Sequence, residues 1–76
     1  MIKKDSRKNF YIETDVSEIG SDESVRVTLV EEGYTGNPCL RIQIRKHESG
    51  KVYMGPEIPI EYAEEIIKNI KTLISK

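Results

Sequence analysis

Seven side chains in this sequence have the chemistry to hold a ligand that is both anionic and aromatic: Tyr11, Arg26, Arg41, Gln43, Arg45, Lys51 and Tyr53. Guanidinium and ammonium groups neutralise phosphates. Guanidinium planes and phenol rings also offer flat surfaces on which nucleobases stack, each worth about 1–3 kcal/mol. In "CLRIQIRKHESGKVYM", residues 39–54, Leu40, Ile42 and Ile44 alternate with Arg41, Gln43 and Arg45. Past a Ser-Gly turn, Lys51 and Tyr53 continue the polar half. Alternation of this kind puts the apolar set on one face of a strand and the cations on the other. A row like this is either a binding face or the solvated back of an antiparallel sheet.

Other chemistry finds little support in the residue pattern. Glu31 and Glu32 are neighbours on a strand and point to opposite faces, so they cannot work as a carboxylate pair. His47 has no Asp, Ser or Cys at a diagnostic spacing and reads as a turn-edge residue. The acidic run from Asp15 to Glu23 lacks the alternating ligands, central glycine and closing glutamate of a calcium loop. Cys39 and His47 alone do not complete a tetrahedral zinc site within one chain. The expectation is a non-enzymatic protein with no catalytic residue, no metal, no cofactor and no small-molecule substrate.

The 76 residues are 37% hydrophobic and 33% charged, the balance of a folded soluble domain rather than a disordered one. At this size a single core is small, and dimerisation is a natural supplement. One cysteine permits no internal disulfide and fits a reducing compartment. No apolar run approaches the roughly 20 residues of a membrane span, and "MIKKDSRKN" lacks a signal-peptide core, so a cytoplasmic location and no membrane partner are expected. The net charge of −1 is segmented: residues 1–9 carry +3, residues 10–33 carry −6, residues 34–56 carry +3 and residues 57–76 carry −1.

Four strands and a helix must position the seven residues. Residues 1–9 read as a flexible basic arm (Lys3, Lys4, Arg7, Lys8), followed by a single domain over residues 10–76. "NFYIETDVSEI" and "SVRVTLVEE" alternate as strands about a "GSDES" turn. "GYTGNP" is a loop whose Tyr34 can either stack on a base or fold back over the core. "CLRIQIRKH" and "KVYM" are the last two strands, joined by "ESG". From Glu61 the period changes to 3.6. Ala63, Ile66, Ile67, Ile70, Leu73 and Ile74 form an apolar stripe, and Glu64 and Lys68 form an i,i+4 pair. The fold class is therefore α+β: a four-stranded antiparallel sheet followed by one C-terminal helix (ββββα), expected to be dimeric. The helix should cover the sheet face formed by Phe10, Ile12, Val25, Val27, Leu29, Leu40, Ile42, Ile44, Val52 and Met54. Parity then leaves the seven candidate residues, with Glu13, Thr28 and Val30, on the other face.

The stretch "LRIQIRK…GKVYMGPEIPIEYAEEIIKNI", within roughly residues 36–75, resembles the single-strand-binding transcriptional coactivator family (positive cofactor four) and, more distantly, the Pur and Whirly proteins. Ile44-Arg45 matches that family's Ile-Arg strand end, Ile58-Pro59-Ile60 its apolar triplet before the helix, and "EYAEEIIKNIKTLI" the helix. Glu57 stands where the family has a glycine, and Gly55 lies two residues earlier. The resemblance implies a homodimer packed partly through the helices, whose sheet faces bind single strands with little sequence preference, Arg41, Arg45, Lys51 and Tyr53 being the matching contact positions. The expected function is single-stranded nucleic-acid binding, DNA rather than RNA, as an accessory to transcription or replication. The alternative is a small protein-interaction or regulatory module that uses an edge strand or the acidic hairpins.

Overall fold

The computed structural model describes residues 1–17 and 22–76. β-Branched and aliphatic residues alternate with polar ones through β2 (Phe10–Asp15), β3 (Glu23–Val30) and β4 (Cys39–Lys46). The three pair antiparallel, with Val27 opposite both Ile12 and Ile42. On the far side of β2 lies a two-residue strand, β1 (Lys3–Lys4), so part of the basic arm joins the sheet. The other edge of β4 takes both β5 (Val52–Tyr53) and β6 (Glu57–Pro59). A 3-10 turn over Ile60–Tyr62 leads into α1 (Ala63–Ile74). The chain is α+β, an antiparallel sheet with one C-terminal helix, and the sheet has six strand segments where four were expected. Of the turn expected over "GSDES", residues 20–24, Gly20 and Ser21 lie outside the described residues, and Glu23 and Ser24 belong to β3 instead.

β5 and β6 are one strand broken by a bulge. Ile44 lies opposite Tyr53, but Leu40 lies opposite Ile58, so one extra residue is inserted between the two pairings. Gly55 sits in the insertion with φ +68. A bulge lets a strand absorb an extra residue at the cost of local ladder bonds, and glycine is the residue that takes positive φ readily.

This edge corrects the face assignment of the fourth strand. Tyr53 pairs with Ile44, and Val52 with Arg45. Tyr53 therefore stands on the apolar side, together with Lys51, whose ammonium lies 4.7 Å from the centre of its ring. Val52 and Met54 belong instead to the arginine side, where Met54 Sδ accepts from Gln43 Nε2 at 3.7 Å. The cause is the turn. Lys46 and Lys51 face each other through a backbone bond, enclosing four residues, 47–50, where "ESG" implied three. One residue in a hairpin loop turns every later side chain to the opposite face.

The second correction concerns the helix. It does not cover the apolar face of the sheet: Val27 is 47% exposed and Ile42 39% exposed, and no residue of α1 is buried. The residues with least access to solvent are polar ones on the other face, Thr28 at 1%, Ser24 at 2% and Gln43 at 5%. On that face long side chains lie across short ones, whereas the apolar face stands open. The radius of gyration is 13.5 Å, against about 11 Å for a compact chain of this length. The accessible area of 6238 Å² exceeds by about 1,500 Å² what a compact monomer of this mass exposes.

Candidate functional site

β2, β3 and β4 bring five of the seven predicted residues to one face. Glu13 lies opposite Arg26 and Arg26 opposite Gln43, while Tyr11 faces Thr28 and Thr28 faces Arg41. Side chains on paired strands stand about 5 Å apart at directly opposed positions, so a cross-strand row becomes a continuous surface. Tyr11, Arg26, Arg41, Gln43 and Arg45 share this surface. Lys51 and Tyr53 do not, for the reason given above.

Glu13 is the centre of the face. Its carboxylate accepts from Arg45 Nε at 2.9 Å and Nη2 at 2.7 Å, and from Arg26 Nε at 2.7 Å. The forked bond from Arg45 is the geometry in which guanidinium and carboxylate pair most strongly. The Arg26 guanidinium also lies over the Tyr11 ring, 4.1 Å from its centre, a cation–π contact that flattens both groups against the sheet. Two arginines thus share one acid, which leaves a single net positive charge.

Hydrogen bonds from Arg45 and then Arg26 hold the Glu13 carboxyl well below its ordinary value near 4.5, at about 2. The same bonds raise Arg45. A folded-state pKa lowered in this way adds stability that is fully present above the unfolded value and is lost as pH falls through the folded one. Unfolding free energy should therefore drop by about 2 kcal/mol between pH 5 and pH 2, the full shift being discounted because water still reaches the face. Urea melts across that range should show the drop in the native chain and a markedly flatter profile in Glu13→Gln.

Arg41 is tied differently. Its Nη2 donates to Glu57 at 2.7 Å and its Nη1 to the carbonyls of Met54 and Gly55, which fastens the β5–β6 bulge to β4. Glu57 also accepts the Tyr34 backbone N–H at 2.7 Å, the main cause of its lowered pKa, with the Arg41 charge contributing. Arg41 is thus a structural tie as much as a surface cation. An open cleft of about 390 Å³ runs beside it, lined by Arg7, Arg26, Tyr34, Arg41, Gln43 and Glu57 among others. Tyr34 is 94% exposed at its rim, so of the two roles open to it the lid over the core is not adopted.

Sequence reasoning missed one constellation. Ser24 Oγ lies 2.6 Å from His47 Nε2, and His47 Nδ1 lies 2.8 Å from Asp22 Oδ1. His47 stands at the edge of the turn as expected, but it has the Ser and Asp partners that its sequence spacing did not reveal. The order of hydroxyl, imidazole and carboxylate is that of a hydrolase relay. However, Ser24 is only 2% exposed between Asp15 on β2 and Arg45 on β4, so its hydroxyl offers very little surface to a substrate carbonyl, although it lines an open hollow with Glu13, Asp15, Arg45 and His47. The row joins the 47–50 turn to the start of β3. Its signal was unreadable without the register that places residue 47 beside residue 22.

Among the described residues, no group of three or more His, Cys, Asp or Glu side chains is arranged to hold a metal ion. No described helix is long and apolar enough to cross a membrane. A scan against protein-family models finds no match, and comparison with curated proteins and with solved structures finds none either.

Proposed function

We propose that the protein binds single-stranded nucleic acid, DNA rather than RNA, on the β2–β4 face as a homodimer, and acts by occupancy as an accessory to transcription or replication in the cytoplasm. The observation that carries this reading is the group formed by Tyr11, Arg26 and Arg45, in which a guanidinium already lies over an aromatic ring, 4.1 Å from its centre, beside a second guanidinium that shares its carboxylate. Flat cationic and aromatic groups on a rigid sheet are what an extended strand needs for stacking and phosphate contact. The resemblance of roughly residues 36–75 to the single-strand-binding coactivators supports the same assignment. The binding set is Tyr11, Arg26 and Arg45, with Arg41 at its border; Gln43, 5% exposed and bonded to Thr28 and Met54, lies beneath them and holds the surface rather than the ligand.

The dimer rests on area. The excess of about 1,500 Å² per chain lies within what one subunit of an obligate dimer buries. It is accounted for by an open apolar sheet face and an uncovered apolar helix stripe. A helix of 12 residues is marginal alone in water, so α1 needs a surface to lie on.

Fluorescence titration with single-stranded oligonucleotides tests the function. The native chain should bind at low salt, with affinity falling as salt rises. Arg26→Ala/Arg45→Ala should bind at least about tenfold more weakly, since it loses two phosphate contacts and one stacking plane. No binding by the native chain at low salt would overturn the assignment. One observation favours a protein-interaction module instead: Arg26, Arg41 and Arg45 each have a carboxylate bonded to them. A face neutralised in this way suits a protein partner, and an oligonucleotide titration that stays flat would select that reading.

A further inference from the structure

We propose that Glu13 is a built-in competitor for the nucleic-acid phosphate, an intramolecular carboxylate that holds the binding face partly closed. The inference rests on the single-strand reading given above and adds to it a regulatory contact within the site. Three observations carry it. From β2, Glu13 reaches across the face and bonds Arg26 on β3 and Arg45 on β4. It takes the Nε donors of both arginines and one Nη of Arg45, which are the groups a phosphate would use for forked binding. The remaining Nη groups stay available, so a phosphate either displaces the carboxylate or binds beside it and meets its charge.

Both routes weaken binding and shallow its salt dependence. With Glu13 in place, Arg26 and Arg45 together present one net positive charge, and Arg41 is cancelled by Glu57. The face then acts as a weak electrostatic site that holds a strand chiefly by stacking on Tyr11 and Arg26. With the carboxylate neutralised, two guanidinium groups become free for phosphate. Each phosphate neutralised on a single strand adds about 0.7 to the slope of log affinity against log salt. The carboxylate also keeps the two arginines extended on the sheet when no strand is bound, so the site is ordered in advance and does not depend on a ligand to assemble it.

The test is an oligonucleotide titration at several salt concentrations with the native chain, Glu13→Gln and Glu13→Thr, each checked for folding by circular dichroism. Glu48→Gln, on the 47–50 turn, removes the same charge away from the face and serves as the control. The expected result is binding about tenfold tighter in both Glu13 variants than in the native chain. Their salt slope should be steeper by about 0.7 or more, and the control should stay within about twofold of native. Binding by the native chain with equal or weaker binding by both variants overturns the competitor and leaves the single-strand reading standing. Absence of binding in the native chain and in every variant overturns both. Binding that appears only in the Glu13 variants overturns the single-strand assignment for the native chain, and with it the competitor, since the native face would then hold no strand for the carboxylate to compete with.

Discussion

Ile70→Asp should convert the proposed dimer to monomers and, with it, melt most of the C-terminal helix. Ile70 lies on the apolar stripe of α1 with Ile66, Ile67, Leu73 and Ile74, and stays 47% exposed in the single chain. No residue of this stripe is buried among the described residues, and the sheet face around Val27 and Ile42 is equally uncovered. Placing a carboxylate in an apolar interface costs about 3 kcal/mol after partial rehydration. A two-fold axis places it there twice. About 6 kcal/mol is more than a 10⁴-fold rise in dissociation constant. Sedimentation equilibrium should therefore report about twice the chain mass for the native protein and the chain mass for the variant. Helical ellipticity should fall at the same time, because a 12-residue helix with no surface beneath it is marginal in water. Lys68→Gln, on the polar side of α1, should leave the mass unchanged. A native chain that sediments as a monomer at high micromolar concentration would refute the dimer.

The sequence specified what depends on local period, and it failed where a count of one residue decides. Strict alternation through Val25, Val27, Leu29 and through Leu40, Ile42, Ile44 fixed β3 and β4 and assigned Arg26, Arg41, Gln43 and Arg45 to one face, as the register has them. The 3.6-residue stripe fixed α1. Lys51 and Tyr53 were placed on the wrong face because the loop holds four residues and not three, a difference no propensity resolves. The bulge at Gly55 was equally hidden, since a lone glycine near two prolines fits a linker as well as a strand. The helix was assigned to its own sheet because an amphipathic stripe says that something covers it without saying which chain supplies the cover. The acid on the arginines was visible only as Glu13 in the alternating pattern. That it bonds two of them follows from the pairing of β2 with β3 and of β3 with β4.

The bulge gives the other large effect. Gly55→Ala should destabilise the protein by about 3 kcal/mol or more, whereas Gly36→Ala and Gly50→Ala should each cost about 1 kcal/mol. All three glycines have positive φ, +68, +83 and +72 respectively, so the backbone penalty is nearly shared. The surroundings differ. A Cβ at Gly36 or Gly50 would meet nothing within 4 Å, while one at Gly55 would overlap the carbonyl oxygen of Ile42 and approach its carbon to 3.0 Å. That oxygen belongs to the middle of β4, where backbone cannot move without opening the pairing with β3 and with β5 and β6. Arg41 would lose its grip as well, since its Nη1 bonds the carbonyls of Met54 and Gly55. The damage would spread from the edge to the binding face, because Arg41 and Glu57 border the cleft. Urea unfolding of the three variants side by side separates the terms: the two exposed glycines measure the cost of positive φ, and the surplus at Gly55 measures the close approach of the two strands. Equal losses at all three positions would mean that β5 and β6 are not held against β4 as this bulge requires.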